Sequence, residues 1–251
     1  MPEDLLRAIT QSAARRFAKC PEEQPLPRRN FRASLEQGGL RVIAEIKRRS
    51  PSAGLLREPL DPTALAKSYE AGGAAAVSVV TEGTFFAGDP RWVAEAKKAC
   101  SLPVLQKDFF HRPEHLAYGK ASGADAVLLI VRILPGSLLG EMLAACRELG
   151  LQALVEIHNE EEMERACAAG AGIVGVNSRD LATFTTDLER SVTLLGKLPS
   201  DRLGVLESGI KSPERFRQLA AQGVRRFLIG EYLLRKPEVT GALRELVESP
   251  W

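Results

Sequence analysis

Between residues 40 and 247 a short apolar run and an amphipathic helical stretch alternate eight times, and this repeat decides what the chain can fold into. The predicted strands are 42–47, 75–80, 104–107, 126–131, 153–157, 173–177, 203–207 and 227–230. Helical patterns lie between and after them, near 63–71, 90–99, 114–122, 136–149, 160–169, 187–196, 213–222 and 238–247. The joins share a chemistry. Ala71-Gly72-Gly73-Ala74, Ser122-Gly123-Ala124-Asp125, Ala169-Gly170-Ala171-Gly172 and Gln222-Gly223-Val224 each put a C-cap glycine and a small residue ahead of an apolar strand. Asp61-Pro62, Asp89-Pro90 and Ser212-Pro213 each put a side-chain acceptor before a proline, which predicts N-caps. Short apolar strands separated by helices call for a parallel sheet covered by helices. Eight such units closing on themselves form a (β/α)8 barrel, a fold that commonly takes about 250 residues. A doubly wound open sheet is the competing fold. No GxGxxG follows a strand, so a dinucleotide site gets no support. Ahead of the repeat, 2–19 read as an amphipathic helix with Leu5, Leu6, Ile9, Ala13 and Phe17 on one side. A link with Pro21, Pro25 and Pro27 and a short helix near 31–37 follow. The expected organisation is one barrel domain over 1–251 with an extension at 1–38.

Composition excludes several functions. A net charge of +2 is too mild for a nucleic-acid binder, and Arg28-Arg29 and Arg225-Arg226 are isolated pairs. No apolar run approaches the roughly 18 residues of a membrane span. The start, Met1-Pro2-Glu3-Asp4, is acidic and lacks a signal h-region, so a cytoplasmic location is expected. Cys20, Cys100, Cys146 and Cys167 are scattered through Ala-rich helical patterns and read as reduced packing residues. His111 and His115 are four apart, but Pro113 between them argues against a shared helix face, so no metal site is expected.

The strand ends carry the chemistry. Leu40 to Gly54 begins as a strand, yet Glu45 and Lys47 share one face and a loop of cations, hydroxyls and turn formers follows. Alone, this stretch reads equally as an edge strand with a solvated tip or as the wall of an anion site. The other ends decide between them. Strand 3 ends in Lys107-Asp108, strand 5 in Glu156 and strand 6 in Asn177-Ser178-Arg179. Strand 7 ends in Glu207-Ser208-Gly209 and strand 8 in Gly230-Glu231, whereas strands 2 and 4 end in apolar or small residues. In a barrel all of these meet at one face. Three carboxylates and two amines crowded into a partly dry cavity have their pKa values pushed apart, which suits proton shuttling on a carbonyl compound. Lysine Schiff-base chemistry is the other use of such an amine. Glycine amides after strands 7 and 8 lie where barrels commonly hold phosphate, with Arg179 as an added cation. Phe86, Phe109, Leu128, Ile130 and Leu181 fall near strand ends and could wall a ring-bearing substrate.

Seven ordered phrases, VIAEIKRRSPSAG, LPVLQKDF, DAVLLIV, ALVEIH, GVNSRDL, LESGI and FLIGEYLL, resemble the strand-end motifs of the indole-3-glycerol phosphate synthases. The likeness runs from about residue 40 to 247 and extends to the N-terminal helices. One departure is Ala53, where the family often carries lysine in an SPSKG loop, so the loop cation is either missing or replaced by Arg48 or Arg49. The resemblance implies a TIM barrel of the ribulose-phosphate-binding type and a carbon-carbon lyase of tryptophan biosynthesis, with no cofactor and no metal. Its substrate would be 1-(2-carboxyphenylamino)-1-deoxyribulose 5-phosphate, and its products indole-3-glycerol phosphate, CO2 and water. Lys107 would be the general acid on the ketone oxygen and Glu156 the base for dehydration. Lys47 would pair with the substrate carboxylate and serve as an acid in dehydration, although which lysine donates in which step is left open. Glu45 and Glu207 would orient the lysines and the ribulose hydroxyls, and Asn177 would bond near the reacting centre. Arg179, Ser208, Gly209, Gly230 and Glu231 would take the phosphate, while Phe86, Phe109, Leu128, Ile130 and Leu181 wall the ring. The 1–38 extension would pack over the barrel mouth. Family members occur as monomers and dimers, so a monomer or weak homodimer is expected.

Three rivals remain at this point. A phosphosugar isomerase would want a strand-end Cys and Asp, where strand 1 here ends in Glu and Lys. A Schiff-base aldolase would use Lys107 covalently. A silent phosphate-binding barrel would have no reason to keep a mixed acid and base set.

Overall fold

The computed structural model describes residues 3–17, 22–23, 25–179 and 185–248. Its centre is a closed parallel barrel of β1 (Arg41–Ile46), β2 (Ala76–Val80), β3 (Val104–Lys107), β4 (Ala126–Ile130), β5 (Gln152–Ile157), β6 (Ile173–Asn177), β7 (Leu203–Glu207) and β8 (Arg226–Ile229). Consecutive strands pair, and β8 closes on β1 with Arg41 opposite Arg226 and Ala44 opposite Ile229. The helices are α1 (Glu3–Phe17) and α2 (Phe31–Glu36) ahead of the barrel, then α3 (Pro62–Ala71), α4 (Arg91–Ala99), α5 (Leu116–Ala121), α6 (Leu138–Glu148), α7 (Glu160–Ala168), α8 (Leu188–Gly196) and α9 (Pro213–Ala221). A short α10 (Glu231–Leu234) precedes α11 (Val239–Val247).

Local chemistry sets the ends. Asp61 and Ser212 cap α3 and α9 by accepting from the amides of Ala64 and Arg215, with proline at the first helical position. Asp89 does not cap α4: Pro90 takes the N-cap place, and the Asp89 carboxylate is held by the Arg91 amide and guanidinium. An arginine two residues on competes for the acceptor that the cap reading needed.

The pleat sorts the apolar residues into two sets. Val42, Ala44 and Ile46 of β1 pack with Leu65 and Tyr69 of α3 and Leu243 of α11, while Ile43 joins Leu105, Leu154 and Leu228 in a second cluster. This alternation puts Glu45 on the same side as Ile43 and aims it into the barrel.

The two N-terminal helices lie at opposite ends. Ser12 and Arg16 of α1 reach Glu82 and Asp108, just past the C-terminal ends of β2 and β3. Helix α2 is seated under the other end. Phe31 and Leu35 are fully buried, the Arg32 amide donates to Gln152 at the start of β5, and Arg226 at the start of β8 donates to the Leu35 carbonyl. Thus residues 31–36 of the expected mouth-covering extension plug the far end instead. His111 and His115 do meet, edge to face with ring centroids 4.5 Å apart, because Pro113 opens a 3-10 turn rather than separating them. No group of three or more potential metal ligands occurs among the described residues.

Candidate active site

Glu45 ends up buried at 2% exposure, and Lys47, one residue past β1, binds its carboxylate. Across the barrel, Lys107 at the end of β3 has its ammonium 3.1 Å from Glu207, 3.5 Å from Glu156 and 3.9 Å from Glu45. One amine therefore sits among three carboxylates from β1, β5 and β7. Its own burial pushes the Lys107 pKa down, but the three acids outweigh that and hold it above the usual lysine range. Lys107 is thus a fixed cation that can lend a proton to something more basic.

The acids are not equivalent. Burial would raise Glu45, yet the charges of Lys47, Lys107 and Arg179 overcome it and hold Glu45 below the ordinary carboxylate range. Glu207 moves the other way. Burial and the nearby Glu156 and Glu45 outweigh Lys107 and push it up to about 7. Its Oε1 is buried without a hydrogen-bond partner. Gly175, beside Glu156 on β6, makes room for it: a Cβ there would fall 1.9 Å from Glu207 Oε1. One cavity can therefore hold an ionised acid, a protonatable acid and two amines, which is the requirement for acid and base work in a single site.

The wall of this cavity is apolar on one side. Phe86, Phe109, Leu128, Ile130 and Val80 line it with the charged set, and the Phe86 and Phe109 rings lie 6.0 Å apart. Phe86 is placed by Glu82, whose buried carboxylate accepts from the amides of Thr84, Phe85 and Phe86 at 2.9, 2.6 and 3.2 Å. Strand 2 was expected to end in apolar or small residues. The strand does end in Val80, but the two residues just past it are polar and fully buried: Glu82 shapes the loop, and Thr81 donates to Asp108. Leu181 lies outside the described residues.

A second cleft adjoins the first, between the ends of β7, β8 and β1. Arg179, Ser208, Gly209, Gly230 and Glu231 line it together with Lys47 and Lys211. Ser208 has φ +68° and Gly209 φ +82°. A left-handed serine costs of order 1–3 kcal/mol and persists where a site needs the turn. Gly230 lets Glu45 approach, since a Cβ would fall 2.7 Å from its Oε1. Arg179 bonds Ser52 of the loop after β1 and stands 3.6 Å from the Glu231 carboxylate. The Glu231 side chain has the sign of an anionic ligand, so only its backbone can serve one.

That loop folds as a small hairpin, Arg49–Ser50 against Gly54–Leu55, and sets Ser50, Pro51 and Ser52 against the cavity. Ala53 donates its amide to Ser50 Oγ. Neither Arg48 nor Arg49 lines either cleft among the described residues. Arg48 instead stacks over Trp92, 5.2 Å from the ring centroid.

Relatives share this chain nearly end to end. The sequence model of indole-3-glycerol phosphate synthase matches residues 4–246. An indole-3-glycerol phosphate synthase from Desulfosudis oleivorans is 44% identical over 99% of this chain and 92% of its own length. The chain belongs to the indole-3-glycerol phosphate synthase family. A second such synthase, from Rhodopirellula baltica, is 43% identical over 98% of each chain. By fold alone, the chain is also similar to thiamine phosphate pyrophosphorylase from Pyrococcus furiosus, with a TM-score of 0.62, 16% identity and coverage of 86% of this chain and 96% of that one.

In this chain the structure gathers every sequence-derived site residue within the described set at one barrel face. Glu45, Lys47, Lys107, Glu156, Asn177, Phe86, Phe109, Leu128 and Ile130 line one cleft, and the anion set lines its neighbour. Glu207 lies beside Asn177 in register and bonds Lys107 from below. Sequence reading gave Ser50, Pro51 and Ser52 only as part of the loop after strand 1, and did not name Val80, Thr81, Glu82 or Lys211 as site residues. The Thr81-Glu82-Gly83 turn signal after strand 2 could have exposed Glu82. Nothing local marks Arg16 as a partner for Asp108.

Proposed function

We propose that this chain closes the indole ring: it converts 1-(2-carboxyphenylamino)-1-deoxyribulose 5-phosphate to indole-3-glycerol phosphate, CO2 and water. The observation that carries the reading is the Lys107 ammonium held among Glu45, Glu156 and Glu207. In the first step Lys107 gives a proton to the ketone oxygen as the ring carbon bearing the carboxylate attacks the ketone carbon. Ring closure costs the arene its aromaticity, and loss of CO2 restores it. In the second step the C–O bond of the new alcohol breaks. Lys47, which pairs with the substrate carboxylate earlier and stands beside Glu45, gives its proton to the departing hydroxyl to make water. Glu156 takes a proton from the ring carbon next to nitrogen, and the C=C bond of the indole forms. Glu45 and Glu207 orient the lysines and ribulose hydroxyls, and Asn177 bonds near the reacting centre.

The phosphate is assigned to the adjoining cleft, to the backbone of Ser208, Gly209, Gly230 and Glu231 and the cation of Arg179. Entry of phosphate would exchange the Arg179–Glu231 pair for a charge-assisted bond to ligand. The aromatic ring lies against Phe86, Phe109, Leu128 and Ile130. Helix α1, tied to Asp108 and Glu82 beside that wall, serves as a lid. The activity needs no metal or organic cofactor, and with Cys100 and Cys146 buried as free thiols we place the protein in the cytoplasm.

Replacing Lys107 tests the reading. Lys107→Ala should lower kcat by on the order of 10²–10⁴-fold, the usual worth of a positioned acid, with substrate affinity within about tenfold. A variant keeping more than half of wild-type kcat would remove Lys107 from the chemistry. Borohydride reduction in the presence of substrate should leave no covalent adduct on Lys107; an adduct would favour the aldolase reading.

A further inference from the structure

Behind Glu156 lies a run of buried polar groups that ring closure as described does not use. His158 and Glu162 are only 8% and 6% exposed, and neither lines the cavity. His158 Nε2 is 3.4 Å from Glu156 Oε1, and His158 Nδ1 is 3.1 Å from Glu162 Oε2. Nε2 has no completed hydrogen bond, and the carboxylate it faces is that of Glu156.

Glu162 is itself held on every side. Its amide is capped by Asn159 Oδ1 at 2.8 Å at the start of α7, and its Oε2 accepts the His158 amide at 2.7 Å. Its Oε1 accepts from Arg132 Nε at 3.2 Å, just past β4. Burial would raise the Glu162 pKa, but His158 and Arg132 overcome it and keep the group below its ordinary value. The chain of contacts thus runs Arg132, Glu162, His158, Glu156, Lys107.

Glu156 faces opposed demands. Its Oε2 sits 3.5 Å from the Lys107 ammonium, and a free carboxylate would swing to bring both oxygens onto that cation. A base locked on the acid would be lost to the substrate. We propose that His158 is a positioning residue for the general base: by drawing on Oε1 it holds the Glu156 rotamer in which Oε2 alone is turned to Lys107 and the cavity, so that the carboxylate does not close both oxygens onto the cation, with Arg132 and Glu162 fixing the imidazole. The inference rests on the reading of Glu156 as the base in dehydration. Groups held by such outer partners keep the geometry that proton transfer needs, and small displacements are costly.

Two substitutions divide the ring. In His158→Asn the amide nitrogen stands near Nδ1 and keeps the Glu162 contact, but nothing reaches Glu156. In His158→Gln the amide nitrogen reaches the place of Nε2. With indole formation as the readout, His158→Asn should lower kcat about tenfold with KM within about twofold, the mark of an interaction that serves the reaction step rather than binding. His158→Gln should bring kcat back to within about threefold of wild type. A His158→Asn kcat within twofold of wild type overturns the proposal, as does a loss that His158→Gln fails to restore while both variants melt near the wild-type temperature. Should His158→Asn not fold, Glu162→Gln tests the chain from its far end: a kcat loss with KM unchanged supports the proposal, and an unchanged kcat overturns it. Glu156→Gln separates the two levels. If it turns over normally, the base assignment and this proposal both fall; if it is inactive beside an unaffected His158→Asn, only the proposal falls.

Discussion

Glu207 shows how one residue ties stability to the chemistry around it. Its native pKa of about 7 lies above its ordinary value of 4.5, so between those pH values the folded protein holds a proton that the unfolded chain has released. The stabilisation is fully present below pH 4.5 and is lost as pH rises through about 7. Glu207→Gln cannot titrate and removes this slope. Relative to wild type, the variant should therefore gain on the order of 2 kcal/mol between pH 5 and pH 8, about 1.4 kcal/mol for each pH unit crossed. Urea unfolding at the two pH values measures it. A variant-minus-wild-type difference that is flat with pH would show that Glu207 ionises normally. The positions of Glu45, Lys107, Glu156 and Glu207 were legible as strand-end residues because strand runs this short leave little choice of register. Their different acidities were not legible, since these depend on distances between residues as far apart in sequence as Lys107 and Glu207.

At the scale of elements, helix α1 is pinned by polar contacts as well as by Phe17, which stacks on Phe110 at 4.8 Å between centroids. Arg16 pairs with Asp108, whose pKa burial holds above the ordinary value although Arg16 and Thr81 pull against it. Arg16→Ala leaves that buried carboxylate short of a partner and should cost about 1–3 kcal/mol. It should also raise KM more than it lowers kcat, because Asp108 and Phe109 line the cavity that the helix edges. Denaturant unfolding and steady-state kinetics together check this; an unchanged KM would separate α1 from substrate binding. The helix itself could be read from its apolar spacing, Ala13 and Phe17 being buried as that spacing requires. Its anchor could not, because Arg16 and Asp108 are 92 residues apart and, although Asp108 sits in the LPVLQKDF phrase, Arg16 lies in no motif.

The whole molecule separates its functions by barrel end. The C-terminal face holds both clefts, and the opposite end is closed by α2 with Phe31 and Leu35 fully buried. Phe31→Ala should cost about 3–5 kcal/mol, as for other buried aromatic truncations, while kcat and KM at a temperature where the protein is folded stay within about twofold. A large KM change would show the two ends to be coupled. The repeat of strand, helix and glycine cap made the barrel readable, since each unit is specified locally. The destination of α2 was not, because a six-residue helix carries no signal for which end of a barrel it will plug. Ring closure by this protein is tested directly by one assay. Purified protein mixed with 1-(2-carboxyphenylamino)-1-deoxyribulose 5-phosphate is followed by indole fluorescence and by CO2 release. The expected result is a saturable fluorescence rise with one CO2 per indole formed and no added metal or cofactor. Folded protein that gives no indole, or indole without matching CO2, would contradict it.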